Sequence, residues 1–162
     1  MAEGRTSAGG QRRDESTDLG VLAGRLLFSV QGELFRRLHR EGFDDIAPRH
    51  GAVLAYLRAD GIRATELARL SGQHKQVVGK NVDELEALGY VERRPDPVDR
   101  RAKLLVPTER GLREMRRADA IMAEIGERHR RRLGPEAYAR FLENLRSVVE
   151  HQREAEESAG SS

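Results

Sequence analysis

There is no cysteine among the 162 residues. Disulfides, thiolate metal sites and thiol redox sensing are therefore excluded within this chain, and a reducing compartment suits it. Tryptophan is also absent, and aromatic residues make up only 4%. No apolar run approaches the length of a membrane span, and the first residues lack the apolar core of a secretion signal, so the expected location is the cytoplasm. No phosphate-cradling glycine loop appears, and no nucleophile sits beside a recognisable base, so catalysis is not expected. The five histidines, His39, His50, His74, His129 and His151, fall in different segments without metal-ligand spacing. Neither metal nor cofactor is expected. What the chain has in quantity is charge, at 35% of residues against 38% hydrophobic, which suits a largely helical protein with wide solvated faces. The net charge is only +2 with a pI of about 9.3. The position of the cations therefore matters more than their sum.

Residues 1–16 carry no apolar pattern and read as a mobile tail, with Arg5, Arg12 and Arg13 on a solvated arm. Thr17 or Asp18 can cap a first long helix that runs to about Glu41. Leu19, Leu22, Leu26, Val30, Leu34 and Leu38 form its apolar stripe, and Leu27, Phe28 and Phe35 widen it beyond the needs of one partner helix. Pro48 fits the first turn of a second helix, with Val53, Leu54 and Leu57 inward and Asp60-Gly61 at its end. Ile62 adds a short strand. Ala64 or Thr65 starts a third helix with Leu67, Ala68 and Leu70 inward, and Ser71-Gly72 turns the chain into the next.

That next helix, from Gln73 to Gly89, has two unlike faces. Val78, Val82, Leu85 and Leu88 recur at three- and four-residue spacing and predict a buried stripe. His74, Lys75, Gln76, Gly79 and Lys80 occupy the opposite side of its first two turns, where donors, acceptors and cations suit a polar, anionic partner. Tyr90 to Arg94 reads as a strand, Pro95 to Arg101 as an exposed turn, and Ala102 to Val106 as the returning strand. Two helices joined by a glycine-containing turn, followed by this hairpin, outline a winged helix-turn-helix. After it, Thr108 caps a long helix to about Arg132, with Leu112, Met115, Ala118, Ile121, Met122, Ile125 and His129 on its apolar side. Leu133-Gly134-Pro135 breaks that helix. A last one runs from 135 to 156, and 158–162 reads as a frayed tail. The fold class is mainly α, a winged helix-turn-helix with a small β-hairpin wing and long dimerisation helices at both ends. One domain spans about 17–157, with a DNA-binding lobe at about 48–107 and dimerisation helices at about 17–41, 108–132 and 135–156. One small core cannot cover three such amphipathic helices, and a two-fold dimer is the commonest solution.

Several runs resemble the MarR family of bacterial transcription regulators. They are Ala64-Thr-Glu-Leu-Ala68, the helix from Lys75 to Glu86 followed by Gly89-Tyr-Val-Glu-Arg93, and Asp96-Pro-Val-Asp-Arg-Arg-Ala-Lys103 ending in Thr108-Glu-Arg-Gly111. The resemblance covers about half the chain, because the outer helices match only in length and apolar spacing. It implies a homodimer that binds a roughly palindromic operator on double-stranded DNA and is released by a small molecule or other signal. The family's groove-reading positions fall on His74, Lys75, Gln76, Gly79 and Lys80, and its minor-groove arginine falls on Arg101. Asp99 is expected to hold that guanidinium, with Arg100 and Lys103 near phosphate. Physical chemistry agrees, since Gln and Lys suit adenine and guanine edges and Arg suits a narrow minor groove. Asn81 and Gln73 depart from the family's usual apolar residues. Asn81 must be either half-exposed or buried with a hydrogen-bond partner.

The resemblance also implies a ligand cleft between the dimerising helices and the DNA-reading unit, with walls from Leu26, Phe28, Val30, His50, Leu54, Met115 and Met122. A cationic edge from Arg25 or His50 would favour an aromatic or carboxylate-bearing effector. The absence of Cys removes the thiol switch of some relatives, and the absence of Trp removes the signature of the urate-responsive branch. The functional expectation is a ligand-responsive regulator, a repressor by preference. The alternative is a winged-helix module that contacts protein without sequence-specific DNA binding.

Overall fold

The computed structural model describes residues 18–99 and 101–159. Helix α1 (Leu19–Arg40) starts where the Asp18 carboxylate accepts the Val21 N–H at 3.1 Å, satisfying a donor that no helical carbonyl can reach. A 3-10 turn, Pro48–His50, leads into α2 (Gly51–Leu54). This segment is much shorter than the helix expected from Pro48 to Asp60, because the chain leaves helical geometry after one turn to reach β1 (Ile62–Arg63). Then follow α3 (Ala64–Ser71), α4 (Lys75–Ala87), β2 (Val91–Pro95), β3 (Lys103–Pro107), α5 (Glu109–Leu133) and α6 (Pro135–Ala159). The strand β2 includes Pro95, which pairs with Lys103, although the proline content predicts that the turn begins there. Helix α6 continues through Ser158, where the composition predicts a tail.

The three strands form one antiparallel sheet in the order β1-β3-β2. Its register sets Ile62 and Arg93 against Leu105 and Val91 against Pro107, so Ile62, Leu105 and Val91 enter the core. Around them lie Leu38 and Phe35 of α1, Val53, Leu67 of α3, and Val78, Val82 and Leu85 of α4. Ile121 and Ile125 of α5 continue the same core toward α1. Tyr90 is the pivot between α4, the sheet and α5. Its hydroxyl donates to Asp45 at 2.6 Å, and the Arg110 guanidinium lies 4.4 Å above its ring. Burial, followed by the Asp45 hydrogen bond, pushes this phenol well above the ordinary tyrosine range.

The outer helices are only partly satisfied within one chain. Arg128 grips Glu33 through two hydrogen bonds of 3.0 and 2.7 Å, and Arg117 and Arg37 pair with Glu41 and Glu124, so α1 and α5 are laced along their exposed edge. The apolar start of α1 is open to solvent, with Phe28 74% exposed, and α6 buries no residue fully. Among the described residues no helix is long and apolar enough to cross a membrane.

Candidate nucleic-acid interface

Helix α4 shows one face to the core and one to solvent. Val78, Val82 and Leu85 are buried, while His74, Lys75, Gln76 and Lys80 are exposed and Gly79 is half-exposed. His74 is the residue before the helix, with extended backbone and no side-chain capping bond, so it lies at the cap instead of within the first turn. The first N–H groups of α4 consequently have no capping side chain, an arrangement that suits an anion. Thr65 and Arg69 of α3 share an open depression with Gln73, His74, Lys75 and Gln76. Sequence spacing does not point to these two α3 residues, because only the packing of α3 against α4 brings them there. The Gln73 side-chain oxygen is buried without a hydrogen-bond partner.

Gly79 has a different kind of signal. A Cβ built there meets nothing within 4 Å, and its backbone is ordinary helix. Glycine at mid-helix costs about 1 kcal/mol relative to alanine, and nothing among the described residues requires it. Gly79→Ala is therefore expected to stabilise the fold by up to about 1 kcal/mol while weakening binding of any partner that approaches this backbone closely. Urea denaturation together with DNA titration would read both effects.

The polar residues on the other side of α4 fix its pose. Asn81 is buried, at 3% exposure, and its amide donates to the Arg49 carbonyl at 2.9 Å. One turn on, Glu84 accepts from the Arg49 guanidinium and from His50 Nε2, both at 2.8 Å. The Ala47 N–H donates to His50 Nδ1 at 3.2 Å, so the proton on the imidazole resides at Nε2 and points at Glu84. The His50 and Arg49 hydrogen bonds hold the Glu84 carboxyl down at about 2. Asn81 and Glu84 thus clamp α4 onto the 3-10 turn at Pro48–His50.

The wing is organised by Asp96, 5% exposed, which bridges two parts of the lobe. One carboxylate oxygen accepts the N–H of Val98 at 2.8 Å, and the other accepts the Arg63 guanidinium at 2.6 and 2.7 Å. The Val98 N–H, then the Arg63 bond, hold this carboxyl below the usual range. Asp99 does not hold the Arg101 guanidinium as expected. It accepts the Arg101 backbone N–H at 3.1 Å and stands 4.0 Å from Arg63. The Asp99 carboxylate therefore shapes the turn, and the Arg101 side chain is left exposed without a carboxylate partner among the described residues. Lys103 is exposed at the start of β3. Arg100 lies outside the described residues.

The expected ligand cleft is only partly as read from the sequence. A cavity of about 450 Å³ opens between α1, α2 and α5, and Leu54, Met115 and Met122 line it together with Val30. Arg25 and Phe28 do not, because both lie on the exposed face of α1. His50 does not either, because its ring is turned into the clamp on Glu84. Leu26 belongs instead to a separate apolar hollow between α1, α5 and α6. Two acidic residues of α5, Glu114 and Asp119, complete the cavity wall and are absent from the sequence-based expectation. The spacing 111, 114, 118, 121, 125 places Glu114 squarely on the buried stripe, and that is the signal that could have found it.

The helix pair, the sheet and the wing define a winged helix-turn-helix protein. Residues 44–102 match the MarR family model. A regulator of that family from Rhodococcus sp. RHA1 is 27% identical over 85% of this chain and 97% of its own, with a TM-score of 0.67. CouR from Rhodococcus jostii RHA1, solved with p-coumaroyl-CoA, is 29% identical over 85% of this chain and 95% of its own, with a TM-score of 0.69. CouR has also been solved as a transcriptional repressor on a 23-mer DNA duplex, at a TM-score of 0.68 over 86% of this chain and 98% of that one, with 25% identity. PcaV from Streptomyces coelicolor, solved with its natural ligand, is 26% identical over 86% of this chain and 97% of its own, with a TM-score of 0.64. No curated protein matches. The chain is thus similar to the MarR family of transcriptional regulators, through the family model over residues 44–102 and through solved structures over most of its length.

Proposed function

We propose that this regulator is a homodimeric repressor that binds a palindromic operator and whose DNA affinity is set by a small molecule. The observation that carries the DNA reading is the pattern of free and satisfied cations on one lobe. Arg63, Arg93 and Arg94 are tied to carboxylates, whereas Lys75, Lys80, Arg101 and Lys103 are exposed with no carboxylate partner among the described residues. Unpaired cations on a helix edge and a narrow hairpin are well suited to phosphate and groove contacts. In this reading His74, Lys75, Gln76, Gly79 and Lys80 face a major groove, and Arg101 enters the flanking minor groove. Lys103 and Arg100 contact phosphate, and Asp99 and Asp96 shape the wing. A second copy covering the open faces of α1 and α6 would set two such units about one helical turn, roughly 34–36 Å, apart.

The clamp on α4 supplies a physical link to the cavity. Gly51 and Leu54 line it, and the adjoining Arg49 and His50 hold Asn81 and Glu84 of α4. A ligand that binds better to the arrangement with the recognition helices off register lowers DNA affinity by that difference in binding free energy. CouR, with its DNA and p-coumaroyl-CoA complexes, is a precedent for both activities in one chain of similar fold.

The test is fluorescence anisotropy on the DNA upstream of the protein's own gene across a salt series. Arg101→Ala is expected to weaken binding to every operator variant and to flatten the salt slope by roughly one, and Gln76→Ala to relax base preference with little change in slope. Identical effects from the two substitutions would remove the division between groove reading and phosphate binding. Weak binding, equal for all DNAs and insensitive to salt, would favour a protein-contacting module.

A further inference from the structure

The cavity between α1, α2 and α5 is apolar over most of its wall, with Val30, Leu34, Leu54 and Met115 among its lining. Its volume of about 450 Å³ lies within the ordinary range for a small-molecule site. Its charged groups are both acidic. Glu114 is 1% exposed, and one of its carboxyl oxygens is buried with no hydrogen-bond partner. Asp119, five residues further along α5, adds a second carboxylate to the wall. Among the described residues no Lys, Arg or His lines the cavity; the other polar side chain is the Gln31 amide. An unpaired carboxyl in an apolar enclosure is costly, and the cost is relieved by a donor or a cation that arrives with an apolar body. A carboxylate ligand would instead add a like charge at low dielectric.

Resting on the ligand-responsive reading above, we infer that this cavity selects amphiphilic molecules with a cationic or hydrogen-bond-donating head seated at Glu114, and discriminates against carboxylates. The expectation of a carboxylate-bearing effector depends on Arg25 or His50 at the edge, and neither lines the cavity. The apolar wall still accepts an aromatic ring.

Three probes that differ in the head group test this: 2-phenylethylamine, 2-phenylethanol and phenylacetate, titrated calorimetrically into the full chain. The amine is expected to bind about tenfold more tightly than phenylacetate, with the alcohol between them, as a charge-assisted hydrogen bond requires. Glu114→Gln should reduce amine affinity several-fold and leave the alcohol nearly unchanged. Ala118→Leu, which fills the cavity beside Glu114, should abolish binding of all three and serves if Glu114→Gln does not fold. Phenylacetate binding as tightly as the amine, or amine binding indifferent to both substitutions, would overturn the inference. Operator binding is measured on the same preparation. Intact DNA binding with no probe bound at millimolar concentration would sink the ligand assignment and leave the operator reading standing, whereas lost DNA binding with selective amine uptake would do the reverse.

Discussion

Gly111→Ala is expected to destabilise the fold by about 3 kcal/mol, near the upper end of what overpacking costs. Gly111 is buried at the start of α5, where the chain passes directly under Tyr90. A Cβ there would lie 3.2 Å from the Tyr90 carbonyl carbon and 3.3 Å from the Pro107 ring, and would collide outright with the Tyr90 carbonyl oxygen. None of these atoms is free to yield. The Tyr90 carbonyl accepts the Thr108 N–H at 3.0 Å, and the Thr108 hydroxyl donates to the Gly89 carbonyl at 2.6 Å while accepting the Gly111 N–H at 3.1 Å. Relief therefore requires α5 to lift from the sheet, which would loosen Tyr90 from Asp45 and Arg110 as well. For a chain of this size the midpoint of thermal unfolding should fall by roughly 6–12 °C. The variant at Gly79, where an added Cβ meets nothing within 4 Å, is the matched control and should not fall. An unchanged midpoint for Gly111→Ala would mean that α5 does not enter the lobe this closely.

The second large effect concerns Glu114 and pH. Burial, then the charge of Asp119, raises its carboxyl from 4.5 to about 7 in the folded protein. The folded state therefore binds more protons than the unfolded chain between these values, and stability must fall as pH rises through that window. At roughly 1.4 kcal/mol per pH unit, the gap corresponds to about 3 kcal/mol, present in full below pH 4.5 and lost by about pH 8. Glu84 acts with the opposite sign, because its carboxyl is held at about 2. Its contribution is present above 4.5 and disappears as the solution is acidified toward that value. A stability maximum near pH 5 is the expected result. Glu114→Gln should remove the alkaline slope, match the wild type at pH 5 to within about 1 kcal/mol, and exceed it by about 2 kcal/mol at pH 8. Urea melts at several pH values would check this, and parallel pH profiles for the two proteins would show that Glu114 does not ionise in a buried site.

Much of the candidate interface is legible in the residue pattern alone. Val78, Val82 and Leu85 at helical spacing put the opposite side of α4 into solvent, and the two strands flanking Pro95 to Arg101 make a hairpin that carries the Arg101 side chain exposed on its turn. Helix ends are legible for the same local reasons. Asp18 and Thr108 accept N–H groups three residues ahead, and Gly72, Gly89 and Gly134 take the positive φ values that stop helices. The short α2 is not legible, because an apolar stripe at helical spacing does not reveal that the chain must leave early to reach the sheet.

The order of the elements, the two faces of α4 and the resemblance of the wing to the MarR pattern can therefore be read along the chain. All three follow from periodicity, capping chemistry and turn residues, which act over a few positions along the chain. The tertiary structure alone decided which polar residues meet. Arg63 reaches Asp96 across 33 positions, His50 reaches Glu84 across 34, and Asp99 is diverted from the Arg101 guanidinium to its backbone. It also decided that Arg25, Phe28 and His50 are absent from the cavity wall and that Glu114 is enclosed there. Side-chain partners and dielectric environment depend on how helices and sheet pack in space, and no local spacing carries that information.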